Sequence, residues 1–218
     1  QYDQYSAFNT AFIAAGLEKI WHTDQLETYT SINMTRLALN NHLYQQQTGL
    51  NLNLTPALPL SEKVQISFIG GITFVKYPSL VNYDSTIYDF KSRVFYMAEN
   101  FQLQSNLGYS LDKASLTHLG GDRKGRSFNL ALKNKIFSDW ESEKSWGRQL
   151  WNSESAYSPG LIDQARKQDT ELIKFALIFP FKKYQTLRLE LRSLKNQENI
   201  SILEYKNKSI LLNWTWQK

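Results

Sequence analysis

The sequence predicts an all-β fold, an up-and-down antiparallel transmembrane β-barrel of about twelve strands, of which eleven can be identified. Three observations carry this. Apolar and polar residues alternate along run after run, as in Leu187-Arg188-Leu189-Glu190-Leu191-Arg192 and Ile210-Leu211-Leu212-Asn213-Trp214-Thr215-Trp216. A period of two places one residue class on each face of a strand, which is how a barrel wall meets lipid outside and water inside. Aromatic residues are abundant (12 Tyr, 12 Phe and 6 Trp), and Tyr and Trp gather where apolar and wet regions meet. Finally, no stretch approaches the run of about 18 apolar residues that a membrane helix needs, so any crossing must be made by strands.

The elements follow in order from alternation and turn chemistry. Strands are expected over about 8–21 and 27–40, separated by His22-Thr23-Asp24 and followed by Asn40-Asn41. The third alternates Leu50, Leu52 and Leu54 with Asn51, Asn53 and Thr55, and stops at Pro56 and Pro59 because proline cannot donate to a ladder. The fourth alternates through Val64, Ile66, Phe68, Gly70, Ile72 and Phe74. Strands five to eight cover about 87–98, 101–113, 128–136 and 144–152, and nine to eleven about 170–181, 186–196 and 209–217. Long segments at 79–85, 114–125, 153–169 and 197–208 alternate with short ones from Pro56 onward, as outer loops alternate with periplasmic turns. On that count strands one and eleven both run inward. An odd total points to a strand either missing or overlooked near Gln1, because bacterial barrels have even numbers.

Composition narrows the function classes. There is no Cys, so no disulfide or thiolate site exists. The net charge of +5 is scattered, with no basic run longer than Lys182-Lys183, which argues against nucleic-acid binding. Mean hydropathy is −0.46, a value that alternation hides rather than one that excludes a barrel. Residues 1–218 read as a single outer-membrane barrel domain, and the start at Gln1 is expected to be a trimmed or processed one.

An Arg facing lipid costs about 2–4 kcal/mol at the midplane, so Arg188, Glu190 and Arg192 are expected in the lumen, as are Lys133 and Lys135 opposite Leu130, Leu132 and Ile136. The acids Glu141 and Glu143 read as solubilising charge in a short turn. Of the three histidines, His22 and His42 sit in expected turns, and His118 lies near Ser115 and Asp122 in an outer loop. Short separation in sequence does not build a Ser-His-Asp triad, and a solvated loop histidine is the simpler reading. Gly120-Gly121 lacks the following helix and Lys-Ser/Thr of a phosphate loop. Metal-ligand spacing is absent, and no metal or other cofactor is expected.

The C-terminal third resembles a family. Residues 196–212, with Asn196, Asn199, Ile200, Tyr205 and Leu212, resemble the final hairpin of the surface lipoprotein assembly modifiers. Gly120-Gly121-Asp122-Arg123 ahead of a strand, and Tyr157 followed by Arg166 and Asp169, resemble that family's loops. Glu198, Leu203 and Asn207 depart from its pattern, and Gln217-Lys218 follow the last aromatic. The resemblance spans about residues 112–216, and related barrels behind tetratricopeptide repeats share the hairpin. It implies a Gram-negative outer-membrane barrel following a periplasmic helical-repeat domain that would precede this segment. Such a barrel delivers lipoproteins to the cell surface, without enzymatic activity. Its implied partners are outer-membrane lipid and lipopolysaccharide, a surface lipoprotein client and the barrel assembly machinery. In this reading the segment from Asn199 to Tyr205 shapes the last outer loop. Three other readings remain: a pore for polysaccharide export or passive diffusion, an outer-membrane hydrolase using Ser115 and His118, and a soluble β-sandwich binding module.

Overall fold

The computed structural model describes residues 10–57, 63–115, 120–137, 139–182 and 184–216. Eleven antiparallel strands form one sheet in strict sequence order: β1 (Thr10–His22), β2 (Leu26–Leu39), β3 (His42–Pro56), β4 (Val64–Lys76), β5 (Ser85–Met97), β6 (Phe101–Ala114), β7 (Arg123–Phe137), β8 (Trp140–Ser158), β9 (Ile162–Lys182), β10 (Gln185–Glu198) and β11 (Tyr205–Trp216). Each strand pairs only with its neighbours in sequence, which is the meander expected when tight hairpins join alternating runs. Two short 3-10 turns, Val81–Tyr83 and Ser201–Leu203, interrupt connections.

Two connections carry their chemistry plainly. Asn40 and Asn41 have φ of 47° and 63°, both in the left-handed region that a two-residue hairpin needs and that Asn tolerates. Gly120 and Gly121, at φ 87° and 64°, occupy the same region at no steric cost.

The sheet has an inside-out distribution of burial. Large apolar side chains are exposed on one face, among them Leu50, Leu52, Phe68, Phe74, Phe90, Leu107 and Ile173. The buried residues are mostly polar and mostly on the other face: Thr55, Ser67, Ser110, Asp112, Glu190, Asn196 and Glu198. The sheet curls toward that polar face, since Gln45 and Gln47 of β3, Ile87 of β5, Tyr157 of β8 and Arg166 of β9 line one cavity of about 350 Å³. At the end bearing connections 23–25, 98–100 and 138–139, the outer face carries a belt of rings. Trp140 stacks on Phe179 at 4.9 Å and Tyr96 lies 5.6 Å from Phe101, while Trp21, Trp214 and Trp216 are exposed nearby.

Three expectations need correction. The segment 153–169 is not a long loop: β8 runs to Ser158 and β9 starts at Ile162, pairing through Asn152↔Lys167, Ala156↔Ala165 and Ser158↔Ile162 with two register shifts. Its residues are polar on both faces, so they lack the one-sided alternation by which a strand is recognised. Residues 197–208 likewise shrink to a connection at 199–204. The alternation of long and short connections therefore fails at the β8–β9 hairpin, which projects as strand.

The third correction concerns closure. Among the described residues β1 pairs only with β2 and β11 only with β10, so the sheet is open. Both end strands are exposed along nearly their whole length, with Leu17 79% and Ile210 72% accessible. They also run in the same direction, which is why an eleven-stranded meander cannot close on itself by antiparallel pairing.

Candidate functional site

The inner face holds the chemistry. Register alone assembles its charged row, since Lys133 opposes Glu143, Glu143 opposes Ala176, and Ala176 opposes Glu190. Residues two apart on β10 share this face, so Arg188, Glu190 and Arg192 follow one another along it. The Arg188 guanidinium reaches Glu143 at 2.5 Å and Glu190 at 2.8 Å. Arg192 bonds the second Glu190 oxygen, and Lys133 pairs with Glu141 at 2.7 Å. Glu190, only 5% exposed, is thus shared by two guanidiniums. A cavity of about 300 Å³ opens onto this row, with Gln102 and Gln104 of β6 facing Lys174, Arg188 and Glu190 of β9 and β10.

The five residues expected in the lumen all lie on this face. Four belong to the charged row or its neighbours, while Lys135 sits at the turn end, opposite Glu141 and beside Glu99 and Asn100. Glu141 and Glu143 are corrected: they are not turn charges but inward members of β8, each holding a cation across the strands. The two-residue spacing of Glu141, Glu143 and Ser145, mirroring Lys133 and Lys135 across a hairpin, was the available signal.

At the other end, the residues resembling a family motif bond mainly to one another and to nearby backbone. The Asn196 amide donates to Glu198 (2.9 Å) and to the Leu203 carbonyl (3.1 Å), while its oxygen accepts from Thr170 (2.6 Å) and Gln168 (3.0 Å). Arg166 holds Glu198 with two bonds of 2.8 and 2.5 Å, and its guanidinium stands 5.9 Å from the Tyr157 ring. Asn199 accepts from the Lys167 N–H (2.7 Å) and donates to the Ala165 carbonyl (2.8 Å), and Ile200 is buried. Tyr205 opens β11 and is half exposed. Together these contacts fasten the β10–β11 connection to the projecting β8–β9 hairpin.

The Gly120-Gly121-Asp122-Arg123 segment does similar work on the other side of that hairpin. The Gly120 N–H donates to the Ala156 carbonyl (3.1 Å), and the N–H of Glu154 donates to the Asp122 carbonyl (2.8 Å). The Asp122 carboxylate accepts from Lys113 and from the Ala114 N–H, and the Lys113 bond is the main reason its pKa lies below the ordinary carboxylate value. Arg123 bonds the buried Asp112 and lies 5.3 Å from the Trp151 ring. That ring rests against Gly125, where a Cβ would meet its atoms at 2.9 Å. Of the residues weighed for hydrolysis, Ser115 donates to the Val81 carbonyl at 3.4 Å and Asp122 is committed as above. His118 lies outside the described residues.

No family model matches the chain, and no curated protein matches it by sequence. Solved structures do. The NanC porin superposes with a TM-score of 0.52 at 11% identity, over 96% of this chain and 98% of the porin. The siderophore receptor PirA from Pseudomonas aeruginosa gives 0.51 at 12% identity, over 98% of this chain. The chain shares the up-and-down antiparallel strand arrangement of these outer-membrane β-barrels, with its own sheet left open among the described residues. This chain spans only 40% of the receptor's length but nearly the whole of the porin's.

Proposed function

We propose that this chain is a Gram-negative outer-membrane β-barrel that passes polar solute through its lumen, without enzymatic activity. The observation that carries the reading is the inversion of burial: charge and amide groups gather inside and Leu, Ile and Phe outside along most of eleven consecutive antiparallel strands, with Arg126, Arg148, Asp169 and Glu171 of β7–β9 among the outer exceptions. In water such a face would need a second layer to cover it, whereas lipid solvates it directly. In a bilayer, unpaired strand edges cost several kcal/mol per group. One further strand, antiparallel to both β1 and β11, would remove both edges and bring the count to an even twelve. The end with connections 77–84, 115–122 and 199–204 faces outward in this reading, and the belt around Trp140 and Phe179 marks the periplasmic interface. Likeness in extent to a porin supports passage through the lumen.

Delivery of surface lipoproteins is the second reading, favoured by the free edges of β1 and β11, which would form a lateral seam for a client. The motif resemblance adds less to it, because Asn196, Glu198 and Asn199 bond within their own loop and to β9.

The first test is biochemical. The protein should need detergent to stay monodisperse and should migrate faster on gels unheated than boiled. A chain that is monomeric without detergent overturns the barrel. In planar bilayers, stable steps of current support the channel. A silent barrel whose deletion abolishes lipoprotein display supports delivery instead.

A further inference from the structure

The inner face carries cations on two of its walls that no carboxylate pairs with among the described residues. On β5, Lys91 and Arg93 both face inward, and neither has a carboxylate within ion-pair distance among the described residues. Arg93 instead donates to the Asn106 side chain at 3.1 Å, which in turn donates to Asn129 at 3.3 Å. The nearby acid, Asp89, accepts from Ser110 at 2.5 Å. On the facing wall, Lys174 and Arg192 are direct cross-strand partners. Like charges in that position repel and destabilise a sheet. The acids beside them do not cancel the set, because Glu143 and Glu190 serve Arg188 and Arg192 and leave Lys174 without a partner.

The two walls face one another across the inner side: Lys91 lines a cavity of about 490 Å³ with Thr170 and Leu172 of β9. Phe95 and Gln104 of β5 and β6 line the 300 Å³ cavity together with Lys174 and Arg188. Cations left unpaired at a polar constriction lower the energy of an anion there and raise that of a cation, which is how rings of Lys or Arg select in anion pores.

Building on the channel reading above, we infer that Lys91, Arg93 and Lys174 make the lumen selective for small anionic solutes, such as carboxylates and phosphates. The unfavourable Lys174–Arg192 pair is relieved when an anion lies between the strands and the opposite wall. The selectivity is electrostatic, so it weakens as salt shortens the screening length.

The test is the reversal potential of the purified protein in planar bilayers under a potassium chloride gradient. The wild type should reverse on the chloride side of zero. Arg93→Gln with Lys174→Gln should bring the reversal potential to near zero, and Arg93→Glu with Lys174→Glu should move it to the potassium side. Arg126→Gln, on the outward face of β7, should leave it unchanged. The neutral pair removes a like-charge contact, so heat-modifiable migration should be retained and report a folded barrel. Current that favours potassium in the wild type, or is indifferent to both double substitutions, overturns the inference and leaves the channel intact. No current from a folded, inserted barrel overturns the channel reading itself.

Discussion

The wall formed by β2–β4 and the wall formed by β7–β10 present polar inner faces by different means. On the first, the inward residues are neutral apart from Glu27 at the start of β2, which lies opposite Thr55 and beside His22. The Asn51 amide donates to Ser31 at 3.3 Å, the Thr55 and Ser67 hydroxyls meet at 2.9 Å, and the Asn33 side chain lies where a Cβ on Gly49 would sit. On the second, Lys133 pairs with Glu141, and a chain of ion pairs runs from Glu143 through Arg188 and Glu190 to Arg192. The outer faces differ too. β3 and β4 present an apolar surface of Leu50, Leu52, Phe68 and Phe74, whereas β8 and β9 carry Arg148 paired to Asp169 at 2.6 Å and Trp146 donating to Glu171 at 2.8 Å. A neutral hydrogen-bonded wall fixes shape with little field. A charged wall fixes shape and also sets a field across the inner face, but each of its members depends on the others.

Substitution should separate the two walls by size of effect. The largest loss is expected at Glu190. Glu190→Leu leaves Arg192 without its carboxylate and Arg188 with Glu143 alone, and breaking a buried pair from one side costs about 3–5 kcal/mol. Denaturant unfolding from micelles should show a midpoint drop of that order, and Glu190→Gln a smaller one. A drop below that of the neutral-wall variants would mean the charged wall is solvated rather than interlocked.

Next comes the outer face of the neutral wall. Leu50→Arg, near the middle of β3, should cost about 2–4 kcal/mol, while Asn51→Arg, one residue along and facing inward, should insert with much less loss. Equal effects at the two positions would erase the distinction between lipid and lumen. Thr55→Val removes one neutral bond and leaves the Ser67 hydroxyl unpaired, a loss of about 1 kcal/mol, readable in the same unfolding curves.

The smallest effect is one of pH. Asp122, in the 115–122 connection, has its pKa lowered chiefly by Lys113. A depressed carboxylate stabilises the fold above its unfolded pKa and loses that contribution as pH falls through the folded value. Protease cleavage around this connection should therefore rise only below about pH 4, the ordinary carboxylate range. In Asp122→Asn the cleavage should be higher at neutral pH and flat across that range.

Legibility in the sequence followed the contrast between the two faces of each strand. Where one face is greasy, as in Leu50 to Thr55 or Leu187 to Arg192, strand and facing could be read directly. Where both faces meet water, as from Ser153 to Asp169, the same backbone pairing left no trace in the pattern. Arg188, Glu190 and Arg192 were readable as an inward set because they alternate with leucine. Lys174 was not singled out and Glu143 was read as turn charge, because their meaning lies in the strands beside them. Lys174 matters as the partner of Arg192, and Glu143 as that of Arg188.

The sequence by itself determined that this chain is β throughout, that its strands have an apolar and a polar side, and where most hairpins turn. All of these are local properties, set by a period of two and by the residues that tolerate tight turns. Only the tertiary structure decided the register, and with it which charges oppose, which are shared and which are left without a partner. Register is a relation between strands, and a shift of one residue would carry Lys174 and Glu190 from the inner face to the outer one.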